Sequence, residues 1–210
     1  MGRILNTVVQ KASWKKAVLF AVLFAALYAL VNFSRVGVSG LLEITGGANI
    51  LDFEIGYSYE KAFAMLTALG AEGRLFYQTK MLPMDFFVPV TYMLCFAGFI
   101  ALLLRQAWPE RAWGSASEQA PGKVPERILG KALRYCRYLL FVPVVAMLSD
   151  WAENIGILVM LHSYPDLPAW AVFMASMSGV IKAVFISVSI SVIVLLFLLF
   201  LHAQIRRKLT

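Results

Sequence analysis

Apolar residues run along this chain in four long blocks, separated by stretches where polar and apolar positions alternate or scatter. A hydrocarbon core about 30 Å thick takes roughly 20 apolar residues of helix. Four blocks meet that length, at residues 17–33, 86–104, 139–161 and 171–201. The first carries no charge and the second ends at Arg105. The third contains Asp150 and Glu153, and the fourth contains only Lys182. The fourth exceeds what a bilayer needs, so it is expected to tilt or protrude. The pattern predicts an all-α membrane protein, a four-transmembrane-helix bundle forming a single polytopic domain over residues 1–210.

The connections are patterned too. In the extracytoplasmic segment 34–83, Leu51, Phe53 and Ile55 alternate with Asp52 and Glu54, which predicts a short strand or extended segment. Ser58 can cap a helix running to Gly70, with Tyr59, Phe63 and Leu66 on one face. Gly70-Ala71-Glu72-Gly73 reads as a helix stop and restart, and a second short helix begins near Glu72. The apolar face suggests a lid on the outer ends of the spans; a lipid-facing interfacial helix is the alternative. In the cytoplasmic loop 106–130, Pro109, Gly114, Pro121, Gly122 and Pro125 predict a flexible linker. From Glu126 the pattern turns helical and basic, with Arg127, Lys131 and Arg134. Such a cluster attracts anionic lipid by about 1 kcal/mol per charge.

Composition agrees with this reading. The chain is 60% hydrophobic and 15% charged, with mean hydropathy +0.75, whereas soluble domains are roughly 45–50% apolar and 25% charged. That excludes an ordinary cytosolic globule or a disordered tail. The net charge of +7 then reports orientation and not a nucleic-acid partner. Of nineteen Lys and Arg, fourteen flank the N-terminal tail, the middle connection and the C-terminal tail; four lie in the first connection and the last is Lys182. The positive-inside rule places both termini in the cytoplasm of a multi-pass protein of the cell membrane, inner or plasma. Trp14, Trp108 and Trp170 fall near the interfaces, as an aromatic belt would. The first apolar core is longer than a signal-peptide core, so an uncleaved span is expected. Cys95 and Cys136 imply no disulfide framework.

Two spans repeat small residues every four positions: Ala17, Ala21, Ala25, Ala29 in the first, and Ala171, Ala175, Gly179, Ala183, Ser187, Ser191 in the fourth. Such stripes let helix backbones approach closely in lipid. Both are expected to be contact faces within the bundle, with a protein partner or a second copy of the chain.

The candidate chemistry lies in the third span. Asp150, Glu153 and Asn154 are spaced i, i+3, i+4 and share one helix face. An ionised carboxylate at mid-bilayer costs about 2.5–3.5 kcal/mol on insertion scales, so both acids are expected to face the bundle or a wet cavity. Two acids one turn apart repel when both are ionised. Such a pair suits general acid/base work, cation binding or proton relay; a purely structural hydrogen-bond network is the bland alternative. Lys182, with Ser178 one turn away, lies within reach of Glu153. Asp85, at the outer start of the second span, and Arg74 could complete the ring, with Tyr77 nearby. His162 and His202 stand alone, so no metal site and no cofactor are expected.

Three stretches carry a resemblance: Leu69-Gly70-Ala71-Glu72-Gly73-Arg74 with Tyr77, Asp85-x-x-x-Pro89-x-x-Tyr92, and Asp150-x-x-Glu153-Asn154. Together they resemble a family of bacterial four-span integral membrane proteins of uncharacterised function. The resemblance spans the first outer loop through the third span. It implies the architecture and transfers no activity.

The function expected is an outward-facing intramembrane polar pocket for a membrane lipid or amphiphilic small molecule. Asp150 and Glu153 are the candidate acid/base pair. Asn154, Lys182, Asp85, Arg74, Tyr77 and Ser178 are candidate ligand contacts, with Lys182 or Arg74 holding an anionic head group. A non-catalytic accessory subunit of a membrane complex and a proton-coupled carrier are the rivals.

Overall fold

The computed structural model describes residues 2–107 and 135–209. The expected cytoplasmic linker, the basic residues Arg127, Lys131 and Arg134, and Trp108 lie outside the described residues. The elements are α1 (Gly2–Gln10), α2 (Trp14–Phe33), α3 (Val38–Thr45), a 3-10 turn (Leu51–Phe53), α4 (Tyr59–Ala68), α5 (Gly70–Phe76), a π-helical turn (Tyr77–Met81), α6 (Leu82–Asp85), α7 (Val88–Ala107), a 3-10 turn (Arg137–Phe141), α8 (Val142–Ser163) and α9 (Ala169–Leu209). Among the described residues there is no strand. Four runs are long and apolar enough to cross a membrane: Trp14–Thr45, Gly70–Gln106, Arg137–Ser163 and Ala169–His202. The chain is therefore an all-α, multi-pass four-helix bundle.

Local chemistry sets the helix starts. Ser13 Oγ accepts from Lys16 N at 3.4 Å and opens α2; Ser58 Oγ accepts from Lys61 N at 3.3 Å and opens α4. Pro143 sits in the first turn of α8, where its missing N–H is harmless. Gly70, at φ +66°, makes the break between α4 and α5.

The helix seam between α8 and α9 is the closest. A Cβ placed on Gly156 would fall 2.8 Å from Ala175 Cβ and 2.9 Å from Ala171 O. Both α2 and α9 pack on α7, but they make little contact with each other. Beyond the polar region, Ile100, Leu103 and Leu104 of α7 pack with Leu140, Leu196 and the buried face of α1 (Leu5, Val9) into an apolar block.

The expected second span, 86–104, lies within the helical run Gly70–Gln106, in which α7 begins at Val88 after a turn at Phe86 and Phe87. Three expectations need correction. The alternation at Ile50–Ile55 is not a strand. Without a neighbouring strand its backbone closes locally, with Phe53 N bonding Ile50 O and Glu54 N bonding Leu51 O. The inward face of α4 is Ala62 and Leu66, continued by Leu69, while Tyr59 and Phe63 are exposed.

The small-residue stripes also behave differently. Ala171, Ala175 and Gly179 are buried against α8, but Ser187 and Ser191 are exposed, as are Ala25 and Ala29. A strict four-residue spacing advances about 40° per step on a 3.6-residue helix. Such a stripe winds off any single contact face within a few turns.

The segment between the first two spans folds onto one end of α8 and α9. Leu41, Leu51, Leu66, Leu69 and Met81 pack with Ile157, Met160, Leu161 and Val172. Tyr164 ties it down. Its hydroxyl lies 2.9 Å from Thr67 Oγ1, and the Arg74 guanidinium stacks 3.8 Å over its ring. Tyr57 N donates to Ser176 Oγ of α9 at 2.9 Å.

Candidate functional site

Inside the half of the bundle nearest that segment lies a cavity of about 500 Å³. Asn32, Asp52, Asp85, Asp150, Lys182 and Tyr92 form its polar wall; Phe24, Val31, Val88, Phe96 and Ile186 belong to its apolar wall. Tyr28, Phe53 and Ile190 line it too, yet they are 48%, 55% and 48% exposed. The mouth therefore lies between α2 and α9, beneath the Leu51–Phe53 turn, where those helices barely touch.

The helix period builds the inner wall. On α8, Ala146, Asp150, Glu153, Asn154, Ile157 and Met160 are buried in one stripe, while Leu148 and Ile155 face outward. Lys182, about 20 Å along α9, has its Nζ 2.5 Å from Glu153 Oε2 and 3.4 Å from Asp150 Oδ1. Gly179, one turn before it, leaves room for that carboxylate, since a Cβ there would fall 2.6 Å from Glu153 Oε1.

The opposite wall comes from the second span. Tyr92 OH donates to Asp150 Oδ2 at 3.1 Å, and Asn154 Nδ2 donates to Asp85 Oδ2 at 2.9 Å. Trp151 Nε1 donates to Phe86 O at 2.9 Å. Tyr77, fully buried in the π-helical turn, donates its hydroxyl to Asp52 Oδ2. Asp52 Oδ1, Glu153 Oε1 and Asn154 Oδ1 are buried without a hydrogen-bond partner. Burial pushes the Asp52 carboxyl above the ordinary aspartate range, against the opposing pull of Lys182 and Tyr77. Burial, with Glu153 and Asp52 nearby, likewise pushes the Tyr57 hydroxyl up.

The structure gathers six of the candidates in three bonded groups, Lys182 with Asp150 and Glu153, Asn154 with Asp85, and Tyr77 with Asp52; Asp150, Lys182 and Asp85 line the cavity, and Glu153, Asn154 and Tyr77 stand behind its lining. It leaves two candidates outside. Arg74 donates to Leu66 O at 2.8 Å and stacks on Tyr164, so it does not line the cavity. Ser178 does not line it either, and Ser176 is the serine of that turn with a cross-element bond. Asp52 and Tyr92 were missed as site residues. Asp52 was hidden in an apparent strand alternation, although an acid flanked by Leu51 and Phe53 is a signal that could have been weighed. Tyr92 stood only as a motif position. Among the described residues, no three His, Cys, Asp or Glu stand close enough to share a metal ion.

Comparison with protein-family models, with curated proteins and with solved structures found no match to this chain.

Proposed function

We propose that this chain is a membrane-embedded binding protein whose pocket takes a lipid or amphiphilic small molecule. The observation that carries the reading is a cavity with one carboxylate-rich wall and one apolar wall, open toward the side of the bundle. The head group would meet Asp85, Asp150 and Lys182, and the tail would lie between α2 and α9 along Phe24, Ile186 and Ile190. Asp150, on the cavity wall, would exchange a proton with a bound head group, and Glu153 stands behind it on the same Lys182 ammonium. The charge bias along the chain supports cytoplasmic termini in a cell membrane. It also supports the segment after α2 as an extracytoplasmic lid. Among the described residues, Ile100, Leu103 and Leu140 pack in an apolar block in the other half, which favours a one-sided pocket over a carrier. The likeness to bacterial four-span proteins belongs to the same reading, because Tyr77, Asp85, Tyr92, Asp150, Glu153 and Asn154 meet at this site.

The test is native mass spectrometry of the full chain extracted from its own membrane, beside D150N and E153Q. The wild type is expected to carry an amphiphile of about one per chain, depleted in both variants while their helicity and yield persist. A stoichiometric protein partner without bound amphiphile would favour the accessory-subunit reading. Equal loss of folded protein in both variants would favour a structural network.

A further inference from the structure

Four carboxylates and one ammonium meet in and behind the cavity wall. Asp52, Asp85 and Asp150 line it, and Glu153 stands behind Lys182. Among the described residues Lys182 is the sole Lys or Arg that lines it. Lys182 is already committed to Glu153 and Asp150, and Arg74 is committed to Leu66 O and Tyr164. An anionic head group would therefore find no uncommitted cation and several acids. Unpaired negative charge in a low-dielectric site must be balanced by protons or by a bound cation.

Three further observations point to a ligand with donors to give. Asp52, on the cavity wall, keeps its Oδ1 without a hydrogen-bond partner. A carboxylate oxygen can only accept from a donor. Next to the acids stand the rings of Phe24, Tyr28, Tyr92 and Phe96, whose faces attract a cation. The acids are also spread around the wall and do not converge as ligands on one metal ion.

We propose that the occupant of this pocket is a cationic amphiphile, a single-chain ammonium compound whose head group pairs with Asp52, Asp85 and Asp150. This rests on the pocket reading above and adds the charge of the ligand. Asp52 arrives from outside the spans, and its free Oδ1 is the acceptor that a bound ammonium would take up. Occupancy would thereby couple the Leu51–Phe53 turn to the spans beneath it.

The experiment uses the full chain in lipid nanodiscs at pH 7 with three probes of equal tail length: tetradecylamine, tetradecanol and tetradecanoate. Each is compared at equal measured mole fraction in the disc by its displacement of a spin-labelled amphiphile. The amine is expected to bind about tenfold tighter than the alcohol, and the carboxylate weakest. D52N is expected to erase most of the amine's advantage over the alcohol. Equal binding of amine and alcohol, or a preference for the carboxylate, would overturn the charge assignment and leave the pocket standing. If no probe displaces the label, the pocket reading falls and this inference with it.

Discussion

At the scale of single residues, Asp52 is the most exacting group in the molecule. It sits between buried Leu51 and exposed Phe53, bonded by Tyr77, and it faces Lys182 and Asp85 across the cavity wall. Burial is the largest influence on it and raises its pKa. A carboxyl held above its unfolded value carries more protons folded than unfolded in the window between the two. Stability from this group therefore falls as pH rises through that window, beginning above about pH 4. In ligand-free protein in detergent, D52N removes an ionisation that the fold opposes. Its melting temperature should decline less steeply with pH than that of the wild type; parallel curves would refute the assignment. This residue was also the least legible in the sequence. The alternation around it is a two-residue period, and nothing local says whether such a period becomes a paired strand or a closed turn. The α8 acids were legible because a 3.6-residue period and the expense of charge in lipid both point them inward.

At the scale of elements, the seam between α8 and α9 rests on backbone proximity. A methyl on Gly156 would meet Ala171 O, a backbone atom that cannot swing aside, at 2.9 Å, whereas a methyl on Gly98 would meet the ring of Phe20 at 3.4 Å and Ala17 Cα at 3.8 Å, both ordinary contacts. G156A is therefore expected to lower stability by about 1–3 kcal/mol. G98A should cost less than about 0.5 kcal/mol, the usual size of a harmless change. Unfolding by SDS in mixed micelles would separate them, and equal losses would count against the packing account. The span count followed from hydropathy, since length and apolarity are the physical requirement itself. The helical run from Gly70 that leads into the second span did not, because Asp85 and Arg74 are polar residues within it. Nor did the fate of the stripes, which depends on the mismatch between a period of four and a period of 3.6. The helix α1 left a fainter trace in the paired apolar positions Leu5/Val9 and Ile4/Val8.

At the scale of the whole molecule, orientation rests on where fourteen basic residues lie. In a background lacking Cys95 and Cys136, I55C and I4C occupy sites that are 72% and 70% exposed in the native protein. A membrane-impermeant maleimide added to intact cells should label I55C and spare I4C until lysis. The reverse pattern would invert the topology and place the cavity mouth toward the cytoplasm. The site as a whole was half visible in advance. Its inner wall is one helix stripe and its lysine, while its outer wall required knowing which loop folds back on which span.

The network around the cavity also divides the molecule in a way no single contact reveals. Asp52 is strapped to Tyr77, and through it to the helical run that carries Asp85 and Tyr92. Asp150, Glu153 and Lys182 belong to the α8–α9 hairpin. Among the described residues, the side-chain bonds joining these two bodies at this depth are Tyr92 to Asp150, Asn154 to Asp85 and Trp151 to Phe86 O. Each contributes about 1 kcal/mol net. The chamber is thus bounded by two leaves whose polar bonds lie along one line at its own depth, with apolar packing between the same leaves on either side of it.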